Sequence, residues 1–563
     1  MSKVLVIFFL LVNLTNLLCQ DINKANFSPP LSGELYISGN FGELRPNHFH
    51  TGVDFKTGGS IGKKIYAVDD GYVSRIKIQT MGYGKAIYIT HKNGFTSVYA
   101  HISKYSKELE VYSKSIQYKN KSYEIDEEIP EGLITFKKGD FIAYSGNTGN
   151  SFGPHLHFEI RETESEHPVN PLLFGFKVTD TKRPKILNLY TYNLNNKKSV
   201  DYKTEINHYS TFKTQNDTIN IWQNTGLGIE VYDYVNFVNN KFAPYNISVF
   251  ENNKLIYKFV VDNFNFAEKR YVNSHIDFLT YKKRHKKIHK LFIEPNNRFS
   301  LYKSQINKGI IKLNNNETAN IKIVVEDVNN NQTELKFIVI ANKKSKTPKN
   351  TPSKSIVMNY NSENAFTNDD IRVFIPKDAL YDNLNFEYYK TAKRQHNLAP
   401  DFHIHNNYTP LHKDFRVLIK KPETKIDNNK IVIARYRSNG RLTALETKFL
   451  EGYFYAWSSE FGTFTLKADT IKPTINPVNI YEGAKFINDN KIRFKISDNF
   501  SGIKSYNGYV DGKWVLFEYD KKKNTLTYYF DEQVPALKKD YHLKLVISDY
   551  CNNTTSYEVN FIH

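Results

Sequence analysis

The sequence predicts an all-β protein with several domains. Apolar residues occur in short runs of Ile, Val, Tyr, Phe and Thr, broken by Asn, Asp and Gly, and long 3.6-residue periodicities are rare. Such runs between turn-forming residues are typical of β-sandwiches and barrels. A chain of 563 residues can also form several packed cores. We therefore expect several packed β domains, with immunoglobulin-like β-sandwiches after the N-terminal part.

The first residues have the features of a secretory signal peptide. Lys3 precedes an apolar core, Val4 to Leu11, and a cleavage site is plausible after Cys19. The core is shorter than a membrane span requires, so we expect an exported chain that does not span the membrane. It would be periplasmic, associated with the cell envelope, or secreted. Acylation of Cys19 is the alternative, although Leu18 is bulkier than lipoprotein processing normally allows.

The rest of the chain divides at turn-rich and proline-bearing segments. Asp180-Thr181-Lys182-Arg183-Pro184 returns as Asp469-Thr470-Ile471-Lys472-Pro473, and both precede apolar strands. We expect the following parts: a signal peptide at 1–19, a first domain at 20–176, an immunoglobulin-like region at 177–342, a polar linker at 343–355, a β-sandwich at 356–468 and an immunoglobulin-like domain at 469–563.

The ends of these predicted modules also resemble each other. Residues 323–330 and 546–553 both read as a strand followed by an Asp/Asn turn, and residues 496–503 have similar turn chemistry. Side chains of this type usually stabilise turns, and calcium binding is the alternative.

The chain is basic, with 77 Lys and Arg against 58 Asp and Glu and a net charge of +19. For an exported protein this charge favours attraction to anionic cell-envelope polymers. A composition simply rich in Lys and Asn is the alternative explanation. No recognised nucleic-acid motif is present and the charge is dispersed, so we expect no nucleic-acid partner.

Five residues near the N-terminus have the chemistry of a catalytic zinc site: His50, Asp54, His101, His155 and His157. Catalytic zinc usually takes three protein ligands of the His, Asp or Glu type, which leaves two histidines here for proton transfer. In a strand, residues two apart share a face, so His155 and His157 would project together. Gly52, between His50 and Asp54, indicates a turn or a close backbone approach.

Two other histidine pairs have similar spacing but no adjacent carboxylate turn. His403 and His405 are two residues apart, and His285 and His289 are four apart in a lysine-rich run. We expect both pairs to be solvated surface residues.

Six segments around the five residues resemble the lysostaphin-type (LytM-like) zinc metallopeptidases. They are Asn40–Phe55, Ile65–Val73, Tyr99–Ser103, Lys138–Asp140, Gly146–Gly149 and Gly153–Glu159. The likeness covers roughly residues 36–174. It implies a small, mostly antiparallel β domain with a narrow groove, and cleavage of peptide bonds, usually in the stem peptides or cross-links of bacterial peptidoglycan.

The resemblance implies roles for the five residues. His50, Asp54 and His157 would bind one zinc ion per chain, and His101 and His155 would be the catalytic pair. The function implied is that of an exported zinc metalloendopeptidase acting on peptidoglycan. The alternatives are a metallopeptidase acting on secreted or surface proteins, and a non-catalytic LytM-like binding or activator protein.

One departure from the family pattern is an insertion at 102–137, which could wall or cover the groove. Three neighbours have two interpretations each. Tyr99 would either pack or donate a hydrogen bond near His101. Arg45 would meet a substrate carboxylate or lie on the surface. Glu159 would orient His157 or form a structural salt bridge.

Overall fold

The structure is a computed structural model that describes residues 25–195, 204–211, 216–345, 356–487, 489–536 and 539–563. The predicted signal peptide and residues 346–355 of the predicted linker lie outside these ranges. The described residues form two compact units. One holds those of Met1–Ser113 and Glu124–Lys346, and the other holds those of Lys114–Tyr123 and Thr347–His563.

The all-β prediction is confirmed, because about 46% of the described residues are in strands and 8% are in helices. In the first region the strands are Ile37–Gly39 (β1), Leu44–Arg45 (β2), His48–Phe49 (β3), Val53–Lys56 (β4), Lys64–Tyr66 (β5), Gly71–Ile78 (β6), Lys85–His91 (β7), Phe95–Ala100 (β8), Lys104–Tyr105 (β9), Ile125–Glu128 (β10), Thr135–Phe136 (β11), Phe141–Tyr144 (β12), His155–Glu162 (β13) and Pro168–Val169 (β14).

A nine-stranded antiparallel sheet dominates this region. Its order is β1-β4-β13-β8-β7-β6-β10, with β11 beside β6 and β14 beside β13. A small sheet, β5-β12-β9, and the hairpin β2-β3 complete the region. Leu156 and Phe158 are completely buried and anchor β13, while the alternating residues His155, His157 and Glu159 point to the other face.

The register of the three central strands places the predicted site residues. His157 on β13 lies opposite Asp54 on β4 and, on its other side, opposite Ala100 on β8. His101 directly follows Ala100. Residues more than a hundred positions apart in the sequence are therefore adjacent across the sheet.

The insertion contains a helix, Lys107–Asn120 (α1), and strand β10, which pairs with the edge strand β6. Glu108 lies in the first turn of α1 and Lys119 in the last, which suits the helix dipole. The buried face carries Leu109, Ser113 and Gln117. Because two of these three positions are polar, hydrophobic periodicity did not reveal the helix.

Among its described residues, the second region contains the following strands and α-helices: Lys185–Asn193 (β15), Ile206–Ser210 (β16), Thr218–Ile221 (β17), Asn224–Tyr232 (β18), Asn246–Glu251 (β19), Lys254–Val260 (β20), Val272–His275 (α2), Phe278–Arg284 (α3), Ile288–Lys290 (β21), Tyr302–Gln305 (β22), Ile311–Lys312 (β23), Thr318–Glu326 (β24) and Gln332–Ala341 (β25).

These strands form two sheets, β16-β15-β18-β21 with β23 beside β18, and β17-β25-β24-β19-β20-β22. The second region packs directly against the first. Phe49 of β3 lies 4.9 Å from Phe299, 6.0 Å from Phe264 and 6.4 Å from Phe259 between ring centroids. The residue that follows Phe49 is the predicted ligand His50, so this packing holds the chain next to the site.

The remaining strands are Ile356–Met358 (β26), Asn364–Thr367 (β27), Ile371–Ile375 (β28), Leu384–Phe386 (β29), Tyr388–Thr391 (β30), Asp401–Ile404 (β31), Phe415–Lys420 (β32), Ile431–Tyr436 (β33), Leu442–Ala444 (β34), Lys448–Leu450 (β35), Tyr453–Ser458 (β36), Gly462–Ala468 (β37), Thr474–Pro477 (β38), Ala484–Lys485 (β39), Lys491–Ser497 (β40), Ile503–Val510 (β41), Lys513–Val515 (β42), Phe517–Asp520 (β43), Thr525–Tyr529 (β44), Asp540–Asp549 (β45) and Thr554–Ile562 (β46).

Strands β26–β37 form a third region and strands β38–β46 a fourth, and each region has two main sheets around one apolar core. Sheets β27-β28-β32-β36-β35 and β30-β31-β37-β33-β34 both contribute to the core of the third region, for example through Val373 and Phe464. Sheets β38-β40-β44-β43 and β39-β46-β45-β41-β42 do the same in the fourth, for example through Phe494 and Leu545.

The expectation that the two other histidine pairs are solvated is wrong for one member of each pair. His285 is exposed, but His289 is buried on β21, where its Nδ1 lies 2.8 Å from Nε2 of the buried His275. His405 is also buried and bonds Thr409. His289 lies on β21, the edge strand of the sheet β16-β15-β18-β21.

Cys551 is buried and forms no disulfide. Within the described ranges, no helix combines the length and the apolar character needed to cross a membrane.

Candidate metal centre

Three of the five predicted site residues converge on one point. Nε2 of His50 lies 2.9 Å from Nδ1 of His157 and 3.0 Å from Oδ1 of Asp54. Nδ1 of His157 lies 2.9 Å from the same Oδ1. All three residues are buried. These separations resemble the edges, about 3.3 Å, of a tetrahedron of ligand atoms with bonds near 2.0–2.1 Å.

In His50 and His157, the ring nitrogen that points away from the cluster determines whether the nitrogen that points into it carries a proton or a lone pair. Nδ1 of His50 lies 2.8 Å from the carbonyl oxygen of Asn40, and Nε2 of His157 lies 2.8 Å from Oε1 of Glu159. Both outer nitrogens face acceptors, so they carry the protons and the inner nitrogens carry lone pairs. Two lone pairs and one carboxylate oxygen this close repel one another unless a cation lies among them.

The pKa values show burial and neighbouring charges acting against each other at this centre. Burial lowers the pKa of His50. Burial also opposes charge on His157, but hydrogen bonds with Asp54 and Glu159 raise the pKa of His157 to about 9. Burial would raise the pKa of Asp54, yet the surrounding histidines hold it well below its usual range. The donor set therefore fits either a proton or a metal ion at its centre.

Arg45 bonds the other oxygen of Asp54. Its Nη2 lies 2.5 Å from Oδ2, and the same guanidinium approaches Glu43 at 3.6 Å. Arg45 is therefore neither an unengaged surface residue nor an unpaired receptor for a substrate carboxylate. Its contact leaves Oδ1 of Asp54 directed at His50 and His157.

Glu159 bonds His157 and is itself held by several hydrogen bonds. It is completely buried and accepts hydrogen bonds from Thr51, from Tyr83 at 2.7 Å and from Nε of Arg161 at 2.8 Å. Burial opposes its ionisation, but the facing Arg161 and His157 lower the pKa of Glu159 well below its usual range. The carboxylate therefore stays charged and orients the ring of His157.

His50 is held from the second region. The side-chain amide of Asn40 donates to the carbonyl of Ala243 at 2.7 Å, and its Oδ1 accepts from the backbone N–H of Ala243 at 3.1 Å. These two bonds fix the segment whose carbonyl oxygen receives the proton of His50. The orientation of this imidazole thus depends on residues about two hundred positions away.

His101 and His155 lie beside the cluster. Their ring centroids are 4.8 Å apart, and Nε2 of His155 lies 3.4 Å from Oδ1 of Asp54. Nδ1 of His101 faces the carbonyl of Thr148 at 2.8 Å, and Nδ1 of His155 faces that of Gly153 at 2.8 Å. Each ring therefore uses Nδ1 as a donor and keeps Nε2 as the acceptor.

The two histidines differ in environment. Burial and the neighbouring His157 and His155 lower the pKa of His101 to about 3. The backbone of His101 has φ near 60°, which turns it out of β8 towards the cluster. The side chain of His155 is 15% exposed, more than those of His50, Asp54 and His157.

The structure brings all five predicted residues together and gives Tyr99 a packing role. Tyr99 is completely buried, and its hydroxyl accepts from the backbone of Val68. Sequence reasoning missed Asn40, Tyr83 and Arg161. Arg161 follows Glu159 by two residues on β13, so strand periodicity alone would have placed both side chains on the face of His157.

An antiparallel β domain with a His/Asp/His donor set and two adjacent histidines defines a metallopeptidase type of centre. Comparison with family models agrees. Residues 48–115 and 134–171 match the model described as peptidase family M23, and the interruption falls within the insertion. The chain therefore contains an M23 (LytM-like) peptidase domain, and the resemblance seen in the sequence is confirmed. Residues 355–469 match a Zu5-like domain.

Similar proteins include an uncharacterized metalloprotease of Haemophilus influenzae, 34% identical over 131 residues, which cover 23% of this chain and 21% of that protein. The DD-carboxypeptidase/endopeptidase Mpg of Neisseria meningitidis is 33% identical over 123 residues, 22% of each chain. This chain thus spans about a fifth of these relatives. The catalytic domain of lysostaphin from Staphylococcus simulans is 24% identical, with 25% of this chain and 91% of that one covered and a TM-score of 0.19.

Proposed function

We propose that the chain is an exported zinc metalloendopeptidase that hydrolyses peptide bonds in the stem peptides or cross-links of peptidoglycan. The observation that carries this proposal is the convergence of three inward-facing acceptor atoms, from His50, Asp54 and His157, within 3.0 Å of one another. Two nitrogens and one carboxylate oxygen are ligands that suit zinc.

His50, Asp54 and His157 would hold one zinc ion. When bound, zinc supplies Lewis acidity towards a scissile carbonyl and lowers the pKa of water. Arg45 and Glu159 would keep the ligand atoms directed inward through the bonds described above. The charge of the donor set, two neutral imidazoles and one carboxylate, leaves a net positive centre with a divalent ion.

His101 and His155 would handle protons. Each has its Nδ1 committed to a backbone carbonyl, which leaves Nε2 to accept a proton from a water molecule and to return it to the leaving amine. Nε2 of His155 faces Asp54 at 3.4 Å, and His155 is half-buried whereas His101 is buried, so we assign the base to His155. His101, held neutral with its proton on Nδ1, would accept a hydrogen bond from the attacking water through Nε2 and so help to hold that water.

Three further observations support the location and the substrate. The N-terminal sequence resembles a secretory signal, and the net charge of +19 suits an anionic envelope. The Neisseria relative is named a DD-carboxypeptidase/endopeptidase. We extend endopeptidase action to this chain on the basis of the shared peptidase domain.

The test is digestion of purified sacculi by the full-length mature protein, with zinc content measured by elemental analysis and the products identified by mass spectrometry. We expect about one zinc ion per chain and release of muropeptides that a chelator abolishes. His50→Ala should lose zinc. His155→Ala should keep zinc and lose about 10²–10⁴-fold in turnover.

Other outcomes would select the alternatives. Cleavage of secreted or surface proteins without muropeptide release would indicate a protein substrate. Zinc retention without any cleavage would indicate a binding or activator protein. Full activity of either variant would contradict the assigned roles.

A further inference from the structure

A second group of acidic side chains lies in the second region, away from the histidines. Asp180 precedes β15, Asp233 directly follows β18, and Asp327 directly follows β24. One carboxylate oxygen from each residue lies within 4.8 Å of the other two. Asp233 and Asp327 are only 4% and 2% exposed, and Asp180 is half-buried.

Turn stabilisation accounts for part of this triad. Oδ1 of Asp327 accepts from the backbone N–H groups of Asn329 and Asn331 at 2.8 and 2.9 Å, and Oδ2 accepts from the amide of Asn331 at 2.7 Å. Oδ1 of Asp180 accepts from the backbone of Lys182 at 3.0 Å. These are ordinary Asx-type bonds, and they need no ligand.

Asp233 is different, because a backbone hydrogen bond from Tyr234 accounts for only part of its hydrogen-bonding capacity. Its Oδ1 is enclosed and has no hydrogen-bond partner among the described residues. No ion pair in the described part of the chain reaches any of the three carboxylates, and Lys182 directs its ammonium to the carbonyl of Val235 instead. An enclosed carboxylate oxygen without a donor or counter-charge is costly.

The pKa values reflect the same conflict. Burial, together with the facing Asp327, raises the pKa of Asp233 to about 8 and that of Asp180 to about 6. The three carboxyl groups thus lie close together where little water reaches them. A cation among them would reduce their mutual repulsion and would give the unpaired oxygen of Asp233 a partner.

We propose that Asp180, Asp233 and Asp327 form a binding site for a divalent cation of the calcium type. The triad offers only oxygen atoms, which hard cations prefer, and it lacks the nitrogen or sulfur ligands that favour zinc. A cleft lined also by Val235, Tyr245 and Asn329 reaches Asp180 and Asp233, so an ion can enter without unfolding of the region.

The same arrangement recurs in the fourth region. Asp469, Asp498 and Asp549 also place carboxylate oxygens within 4.8 Å of one another. Oδ1 of Asp498 is again enclosed without a partner among the described residues. In both triads the unpaired oxygen belongs to the middle aspartate in sequence order, Asp233 in the first and Asp498 in the second. The other two aspartates of each triad come from the proline-bearing segment and from the Asp/Asn turn.

The two triads share their supporting bonds. The amide of Asn331 donates to the carbonyl of Asp180 at 3.3 Å, and that of Asn553 donates to the carbonyl of Asp469 at 3.0 Å. Asn553 also bonds Asp549 through its backbone and its amide, as Asn331 bonds Asp327. Two separate parts of the chain thus build the same oxygen-lined arrangement, which favours a common ligand over an accident of packing.

The test is calorimetric titration of the zinc-loaded full-length mature protein with Ca²⁺, and separately with Mg²⁺. Asp233→Asn removes the charge but keeps the shape, and Asp217→Asn, at an exposed position of the same region, is the matched control. We expect Asp233→Asn to bind one equivalent of Ca²⁺ less than the wild type and Asp217→Asn to bind as much.

Thermal unfolding supplies a second readout. Ca²⁺ should raise the melting temperature of the wild type, while Asp233→Asn should be at least as stable without Ca²⁺ and should gain less from it, because the repulsion is already gone. If Asp233→Asn does not fold, Asp180→Asn, at a more exposed member, replaces it.

Three results would overturn the proposal. The first is no binding by the wild type at about 5 mM Ca²⁺, several times the ~1 mM dissociation constant of weak extracellular sites. The second is equal Ca²⁺ uptake by wild type and Asp233→Asn. The third is Mg²⁺ binding as tight as Ca²⁺ binding.

Discussion

Replacing Gly52 by alanine tests whether the metal centre depends on close packing of its backbone. Gly52 lies between His50 and Asp54, directly against β13. A Cβ atom here would lie 2.4 Å from the carbonyl oxygen of Phe158, 2.9 Å from Cγ of Glu159 and 3.0 Å from Cε1 of His157. The added methyl group would therefore touch both a ligand ring and the carboxylate that orients it.

The magnitude follows from these contacts. Ordinary van der Waals contact begins at 3.4 Å, so the overlap with the carbonyl oxygen of Phe158 is 3.4 − 2.4 = 1.0 Å. That oxygen belongs to a strand paired on both sides, and it cannot rotate away. Overpacking of this kind costs about 1–3 kcal/mol in the free energy of unfolding. A displacement near 1 Å at a catalytic centre costs about 10²-fold in turnover.

The matched control is Gly153→Ala, because a Cβ at Gly153 meets no atom within 4 Å. Zinc affinity would be measured by competition with a chelator, turnover on sacculi at equal zinc occupancy, and stability by thermal unfolding. We expect Gly52→Ala to lose zinc affinity and turnover and Gly153→Ala to match the wild type. Indistinguishable zinc affinity and turnover in the two variants would refute the reasoning.

Two further substitutions test the surroundings of the site. Glu159→Gln should weaken zinc binding by about 10–100-fold, because the ring of His157 loses its orienting carboxylate; chelator competition measures this, and Glu164→Gln, at an exposed position, should behave as the wild type. His289→Gln should reduce the acid sensitivity of the first unit. Burial lowers the pKa of His289 to about 3, so the folded state binds fewer protons than the unfolded state, whose histidine pKa is near 6.5. The contribution of neutral His289 to the free energy of unfolding is therefore fully present above about pH 6.5. It falls as the pH drops towards 3, by about 2 kcal/mol at pH 5. Urea unfolding at pH 5 and pH 7 checks this, with the exposed His285→Gln as control; an unchanged pH dependence in His289→Gln would contradict it.

Local patterns were sufficient to predict the fold class and to point to five residues that the structure brings together. Strand periodicity placed His155 and His157 on one face because side chains alternate along any strand. The glycine at position 52 indicated close approach of the backbone, and the structure shows that approach against β13. These inferences needed only neighbouring residues, and each held because the constraint acts within a few positions of the chain.

Tertiary structure decided everything that depends on distant partners. Arg45 could be read as a substrate contact until its bond with Asp54 was known, and the contact between Asn40 and Ala243 spans two regions. The burial of His289 depends on which sheet its strand joins. No sequence spacing encodes these contacts, because they arise when separately formed sheets pack and exclude water.

The sequence by itself determined the residue types, their order and the β character of the chain, since hydrophobic alternation and turn chemistry are local. Only the folded chain decided that three acceptor atoms meet within 3.0 Å, and that Asp233 joins Asp180 and Asp327 around an unpaired oxygen. Whether a charged or polar group has a partner depends on the folded structure, because burial removes the water that would otherwise bind that group.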